Sequence, residues 1–326
     1  MKVFLVLLLL ILLAAGAAAY IVSTPYGPSS ETFVDIPPGT GATAIATILR
    51  KKGIIRSCYA FALLRLHRDG TFKAGEYRFD HPVPPGEVYD RLVQGDVYTV
   101  TLAIPPGYNI FEIAAAAESA SFAKRDIFLA AERQHTELIA DFFKPNERPE
   151  SLEGYLFPDT YRFSRHATPL QILSAMVRRF RQTANQLGMT QDIPQTVIMA
   201  SLVEKEVSQD AERPLVAGVF VNRLAKSMPL ATDPTVIYAA LLDDRWRGTI
   251  YASDLQSSSP YNTYKHRGLP PGPISNPGIA ALRAALHPAR TDYLYFVSDA
   301  AGHTRFSVDL REHDQQVQAY REAVRH

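Results

Sequence analysis

The chain has 326 residues, 47% hydrophobic and 21% charged, with a formal net charge of +1. That is the mix of a folded protein of about two domains, and it lacks the strongly basic bias of a nucleic-acid binder, so no nucleic-acid partner is expected. The single cysteine, Cys58, excludes an internal disulfide and a cysteine-based zinc cluster.

Lys2 is followed by an apolar run from Val3 to Val22, about the ~20 residues a membrane-spanning helix needs. A cleaved signal peptide has a shorter apolar core and a small-x-small site, for which Ala17-Ala18-Ala19 would serve. The length favours a retained anchor, with Lys2 inside and the rest of the chain exported. "STPYGPSS" (Ser23 to Ser30) reads as a linker.

An internal echo follows. "IPPG" occurs at Ile36–Gly39 and Ile104–Gly107, and "VPPG" at Val83–Gly86. The first and third copies follow a β-type run (Phe33–Ile36, Val97–Ile104) and precede a helical pattern, which predicts strand, stiff turn, helix. From Phe33 to Phe79 the pattern is strand, helix, helix, strand. Gly53 ends the first helix, Ser57 caps the second and Asp69-Gly70 makes the turn into the last strand. This layout resembles the LysM peptidoglycan-binding module. A small α+β spacer without a ligand fits it equally well.

From about Asp96 the chain reads as a larger domain. Helical patterns run through Ile110–Glu118, Arg125–Arg133, Thr168–Leu187, Pro194–Ser208 and Arg213–Leu224. "DYLYFVSDAAGHTRFSV" predicts two strands joined by a turn at Asp299–Gly302, and Asp309 caps a last helix, Leu310–Val324. The fold class expected is α+β: a transmembrane helix (residues 1–22), a linker (23–30), a small LysM-like βααβ domain (31–95) and a larger mixed catalytic domain (96–326).

"TVIMASLVEKEVSQD" (Thr196 to Asp210) is apolar nearly all round until its last turns, as a buried helix is. Glu204 and Glu206 both fall on apolar stripes. Either the helix emerges into solvent at "EKE", or a carboxyl group is held in a cleft with its pKa raised by desolvation. Periodicity does not choose between the two glutamates. Three other stretches concentrate acids, amides and aromatics: "EGYLFPDTYRF" (Glu153–Phe163), "MPLATDPTVIY" (Met228–Tyr238) and the long loop "SPYNTYKHRGLPPGPISNPG" (Ser259–Gly278). Tyr, Asn and Asp stack on sugars and bind their hydroxyls, and long irregular loops in compact domains are often functional. His266, His287, His303 and His313 are scattered without paired ligand spacing, so neither metal nor cofactor is expected.

"ASLVEKEV", "VFVNRL", "DPTVIYA", "YNTY" before "GLPPGPISNPG", and "YLYFV" before "GHTRFS" resemble the endolytic murein transglycosylase family, also called YceG-like. The resemblance runs from about Phe33 to the end. It implies that Glu204 is catalytic and that Lys205 and Glu206 support it. Glu153, Tyr155, Asp233, Tyr261, Asn262 and Tyr264 are the expected substrate-binding residues. The family usually has Gln where this chain has Ala231, which puts one subsite contact in question. The implied reaction cleaves the MurNAc–GlcNAc β-1,4 bond of nascent peptidoglycan with 1,6-anhydro-MurNAc ends, at the inner membrane and beside penicillin-binding-protein synthases. A hydrolase on the same substrate would need a second carboxyl group, for which Asp233 and Glu153 are the candidates. A non-catalytic peptidoglycan-binding scaffold is the remaining alternative.

Overall fold

The structure is a computed structural model that describes residues 2–299 and 303–324. The chain divides into two compact units, Met1–Val100 and Thr101–His326. Both are mixtures of helices and short antiparallel strands.

The first unit begins with α1 (Lys2–Ser23), which is long and apolar enough to cross a membrane. Then come β1 (Thr32–Ile36), α2 (Ala42–Lys51), α3 (Cys58–His67), β2 (Gly75–Phe79) and α4 (Pro85–Gln94). The strands pair antiparallel, with Val34 opposite Tyr77 and Ile36 opposite Gly75. Val34 and Ile36 alternate with exposed Asp35, so one face of this ribbon meets Ile45, Leu49, Phe61, Leu64, Val88 and Leu92 in a single core. The caps follow the sequence: Ser57 accepts from the Tyr59 amide, and Gly53 adopts a left-handed φ of 71° just past α2.

The second unit contains β3 (Val100–Ala103), α5 (Ile110–Ser119), α6 (Arg125–Gln134), β4 (Thr160–Phe163), α7 (Pro169–Gln186), α8 (Ile193–Glu206) and α9 (Arg213–Ala225). It continues with α10 (Asp233–Leu242), α11 (Ala252–Leu255), α12 (Ile279–Leu286), β5 (Tyr295–Ser298), β6 (Thr304–Ser307) and α13 (Leu310–Val324). Asn109 and Thr168 close capping boxes with Glu112 and Gln171 at the starts of α5 and α7. Strand β5 pairs antiparallel with β6; of the turn expected at Asp299–Gly302, residues 300–302 lie outside the described residues. The Asp309 carboxylate accepts from the Glu312 amide at the start of α13, as a cap should.

Helix α8 is the axis of this unit. Pro194 sits in its first turn, where a missing N–H costs nothing. Every residue from Val197 to Val203 is buried, and α8 packs against α9, α10 and α12. An all-apolar helix is stable only when enclosed in this way.

The repeated Pro-Pro-Gly motif behaves in two ways. After β1 and after β3 it makes the same turn, with Gly39 at φ 78° and Gly107 at φ 84°, a conformation that favours glycine. The middle copy differs: Pro84 is the cap, and Pro85 and Gly86 already belong to α4.

Candidate active site

The last turn of α8 carries Glu204, Lys205 and Glu206. The Glu204 side chain is only 5% exposed. One carboxylate oxygen accepts the Gly278 amide at 2.8 Å. The other lies 3.0 Å from Nη1 of Arg213, a buried residue in the first turn of α9. That second contact is an ion pair without an aligned hydrogen bond. Burial is the largest influence on Glu204 and raises its pKa; the Gly278 amide and Arg213 pull it back down, and Asp210 adds a smaller rise. The net direction is upward, as an acid that must hold a proton requires.

Arg213 was not among the expected site residues. Its Nε also donates to Asp210 at 3.0 Å. A cation at a helix N-terminus opposes the helix dipole, so an Arg-Pro helix start signals a nearby acid that compensates.

Two turns frame the carboxyl group. In the Pro105-Pro106-Gly107 turn, a Cβ on Gly107 would lie 3.5 Å from Cγ of Glu204. In the Asn276-Pro277-Gly278 turn, Gly278 donates to Glu204. The turns are stitched together: Gly107 donates to the Asn276 carbonyl at 2.9 Å, and the Asn276 amide donates to the Tyr108 carbonyl at 2.8 Å. Lys205 is exposed along its length, but its ammonium reaches the Gly107 carbonyl at 3.3 Å, a supporting contact on the same turn.

Glu153 and Tyr155, expected to bind substrate, are almost fully buried, and both also line the cavity that Tyr261 lines. Glu153 is 2% exposed. Its oxygens accept the Ile110 amide at 2.9 Å and the Asn276 side-chain amide at 2.6 Å, and burial pushes its pKa up to about 8. Tyr155 is 1% exposed and stacks on Phe142 with ring centroids 5.7 Å apart. Gly154 between them has a φ of 86°, and a Cβ there would meet Val197 and Pro273 at 2.6 Å. The glycine lets this segment pass between α8 and the loop that follows α11.

That loop, from Ser259 to Gly278, contains no helix or strand, as expected. Ser201 of α8 pins it: its hydroxyl accepts the Ile274 amide at 3.1 Å, and its carbonyl accepts the Ser275 hydroxyl at 3.1 Å. Asn262 is engaged within this loop and by the residues just before it. It is fully buried, its side-chain nitrogen donates to the Leu255 and Ser257 carbonyls at 3.0 and 2.8 Å, and its oxygen accepts the Tyr264 amide at 3.1 Å. Asn262→Ala should therefore destabilise the fold by about 2–4 kcal/mol, because a buried bonded amide is lost and its partners are orphaned. A thermal melt of the purified variant checks this; an unchanged midpoint with lost activity would restore the sugar contact.

Tyr264, Asp233 and Glu206 do come together. The exposed Tyr264 hydroxyl donates to Asp233 at 2.7 Å. Burial, and then the Asp233 charge, raise the pKa of Glu206 to about 7, against a lowering by Arg223. Tyr261 is half-buried and lines a cavity of about 480 Å³ with Glu150, Glu153, Tyr155, Gln195 and Pro273, beside the first half of α8; Glu204 does not line it. Ala231 sits just before Thr232, the N-cap of α10, with a left-handed φ of 50°, and its amide donates to the Thr263 carbonyl at 3.1 Å.

The YceG-like family model matches residues 34–319. The endolytic murein transglycosylase of Bacillus subtilis (strain 168) is 34% identical over 306 residues, covering 88% of this chain and 84% of that one. The endolytic murein transglycosylase of Streptococcus pneumoniae (strain D39) is 28% identical over 323 residues, covering 87% of this chain and 57% of that one. The crystal structure of a YceG-like protein from Listeria monocytogenes superposes with a TM-score of 0.55 at 32% identity, covering 88% of this chain and 99% of that one.

Proposed function

This chain belongs to the YceG-like family, and we propose that it is an endolytic peptidoglycan lytic transglycosylase. It cuts the β-1,4 bond between MurNAc and GlcNAc and leaves 1,6-anhydro-MurNAc ends. The observation that carries this reading is an enclosed carboxyl group, Glu204, whose pKa is raised and whose oxygens are fixed by a backbone amide and a guanidinium.

Glu204 gives its proton to the leaving glycosidic oxygen. The substrate's 2-acetamido group stabilises the cationic centre at C1. Glu204, now a carboxylate, takes the proton from the muramic C6 hydroxyl as that oxygen bonds to C1. One carboxyl group thus serves twice, and no water is consumed. Burial favours the protonated form needed first. Arg213 and the Gly278 amide stabilise the anion formed second. Asp233, Tyr261 and Tyr264 are offered as substrate contacts, with Lys205 and Glu206 in support.

The rate should fall as pH rises through the raised pKa of Glu204, because only the protonated form starts the reaction. Arg213→Gln removes a group that lowers that pKa. The alkaline limb of the pH–rate profile should move to higher pH in this variant, with a lower maximum because the anion is less stabilised. An unmoved limb would mean that another group sets it.

A hydrolase is the second reading, since the Asp233 charge acts on Glu206 near the helix end and Glu153 lines the cavity beside α8. Mass spectrometry of peptidoglycan digested by the full chain in detergent separates the possibilities. Anhydro ends support the transglycosylase, reducing ends the hydrolase, and no cleavage a binding scaffold.

The apolar length of α1 supports a retained single-pass anchor in the inner membrane, with the second unit exported. Such a tether restricts the enzyme to nascent strands, where peptidoglycan synthases are the natural partners. The βααβ layout supports a LysM-like role in holding glycan. An N-terminal sequence of the mature membrane protein starting at Tyr20 would overturn the anchor.

A further inference from the structure

Helix α3 is apolar on two faces. Ala60, Phe61 and Leu64 are buried towards the core of the first unit. On the other side Tyr59, Ala62, Leu63 and Leu66 recur at i, i+3, i+4 and i+7 and form one stripe. Tyr59 is 83% exposed, Leu66 80% and Leu63 37%. Isolated exposed apolar residues are ordinary, but an uninterrupted stripe along a helix marks a surface that something covers.

Its position indicates the cover. Helix α3 packs against α1, and Ala60 shares a crevice with Ile21 of the last turn of α1. Val22 packs onto the core of the unit. The stripe is therefore about one interhelical distance, ~8–10 Å, from the place where a membrane-spanning α1 leaves the lipid. The charge agrees. From Arg50 to Asp69 there are six basic residues and one acidic residue, in a chain of net charge +1. Arg65 and His67 flank the stripe on its two sides, and Arg56 stands just before the helix.

We propose that α3 is a membrane-seating helix, with its Tyr59–Leu66 stripe lying in the interface of an anionic phospholipid bilayer beside α1. This rests on the reading of α1 as an anchor. Tyr is at home at the headgroup level, long basic side chains reach up to phosphates, and basic segments beside a membrane helix are drawn to anionic lipid. An interfacial helix of this kind gives the unit a second point of attachment and fixes its orientation against the bilayer. A second copy of the chain is a poorer occupant. A stable interface needs about 800 Å² per partner, more than four side chains present, and a symmetric pairing would bring Arg65 and His67 against their own copies.

The test uses the full chain reconstituted in phosphatidylethanolamine and phosphatidylglycerol vesicles with bromine on the acyl chains. Trp246, the one tryptophan, is replaced by Phe, and Tyr20→Trp or Tyr59→Trp is introduced singly. Bromine quenches tryptophan that touches acyl chains. Both reporters should lose emission, Tyr59→Trp most with shallow bromine and with a blue shift. Adding Leu63→Glu and Leu66→Glu should abolish the loss at position 59 and leave that at position 20 intact. Quenching at 20 without quenching at 59 overturns the seating helix and leaves the anchor standing. No quenching at either position overturns the anchor, and the inference falls with it. A blue shift at 59 without quenching, growing with the protein-to-lipid ratio, assigns the stripe to a second copy and overturns the proposal.

Discussion

Glu204→Gln is expected to lower the release of anhydro-muropeptides by about 10⁴-fold or more. General acid–base catalysis by one positioned group is worth about 10²–10⁴-fold, and here one group acts in two proton transfers. The amide keeps the shape of the side chain but has no proton to give and no basic oxygen to receive one. The substitution also has a structural cost. Glu204 accepts the Gly278 amide at 2.8 Å and forms an ion pair with Arg213 at 3.0 Å. A glutamine offers one acceptor oxygen and one NH₂ group, so one donor loses its partner, at about 1–3 kcal/mol. The variant should melt somewhat lower yet remain folded. Activity and circular dichroism measured on the same preparation separate this from unfolding. Glu206→Gln should lose less than about tenfold if that residue only supports the site, since it removes no transferred proton. Near-normal turnover in Glu204→Gln with a dead Glu206→Gln would reverse the assignment.

What could be read from the sequence divides by range. Helix α8 was legible because burial on all sides leaves an apolar run, and Pro194 and the charged end mark its limits. The β1–α2–α3–β2 order was legible because caps and turns are local: Ser57, Gly53 and the Pro-Pro-Gly turns each act within a few residues. The proposed choice of Glu204 over Glu206 was not legible from periodicity. It depends on Arg213 and Gly278, which lie 9 and 74 residues further along. The same limit applies to three of the expected substrate contacts. Glu153, Tyr155 and Asn262 have residue types that suit a sugar, but residue type does not reveal whether a polar atom is already engaged inside the fold. Asn262 is engaged by carbonyls five and seven residues away, Glu153 by an amide 123 residues away. The outward stripe of α3 has a local signal, apolar residues on both sides of an amphipathic helix, that only burial separates into core and exposed face.

Asn276→Ala should be the most damaging substitution that touches no substrate. The residue is fully buried. Its side-chain oxygen accepts the Leu156 amide at 2.8 Å, and its nitrogen donates to the Tyr108 carbonyl at 2.9 Å and to Glu153 at 2.6 Å. The Tyr108 carbonyl keeps the Asn276 backbone amide. The Leu156 amide and the Glu153 oxygen are left without those partners, so the expected loss is about 2–5 kcal/mol. That is a large part of the about 5–15 kcal/mol that holds a typical domain together. Activity should fall beyond what the folded fraction explains, because Gly278 stands two residues on and its amide fixes Glu204. Asn276→Asp tests the cause. It keeps an oxygen for the Leu156 amide but sets a second acid against Glu153. Burial already raises the Glu153 pKa from 4.5 to about 8. A carboxyl group whose folded pKa is raised binds more protons folded than unfolded, so stability declines as pH rises from its unfolded value through its folded one. In Asn276→Asp two facing acids must share protons, and the decline should steepen. Thermal melts at pH 5 and pH 8.5 should show a small deficit at the lower pH and a large one at the higher, whereas the deficit of Asn276→Ala should change less between them. Equal deficits at both values would mean that Glu153 and Asn276 are not coupled as the 2.6 Å contact requires.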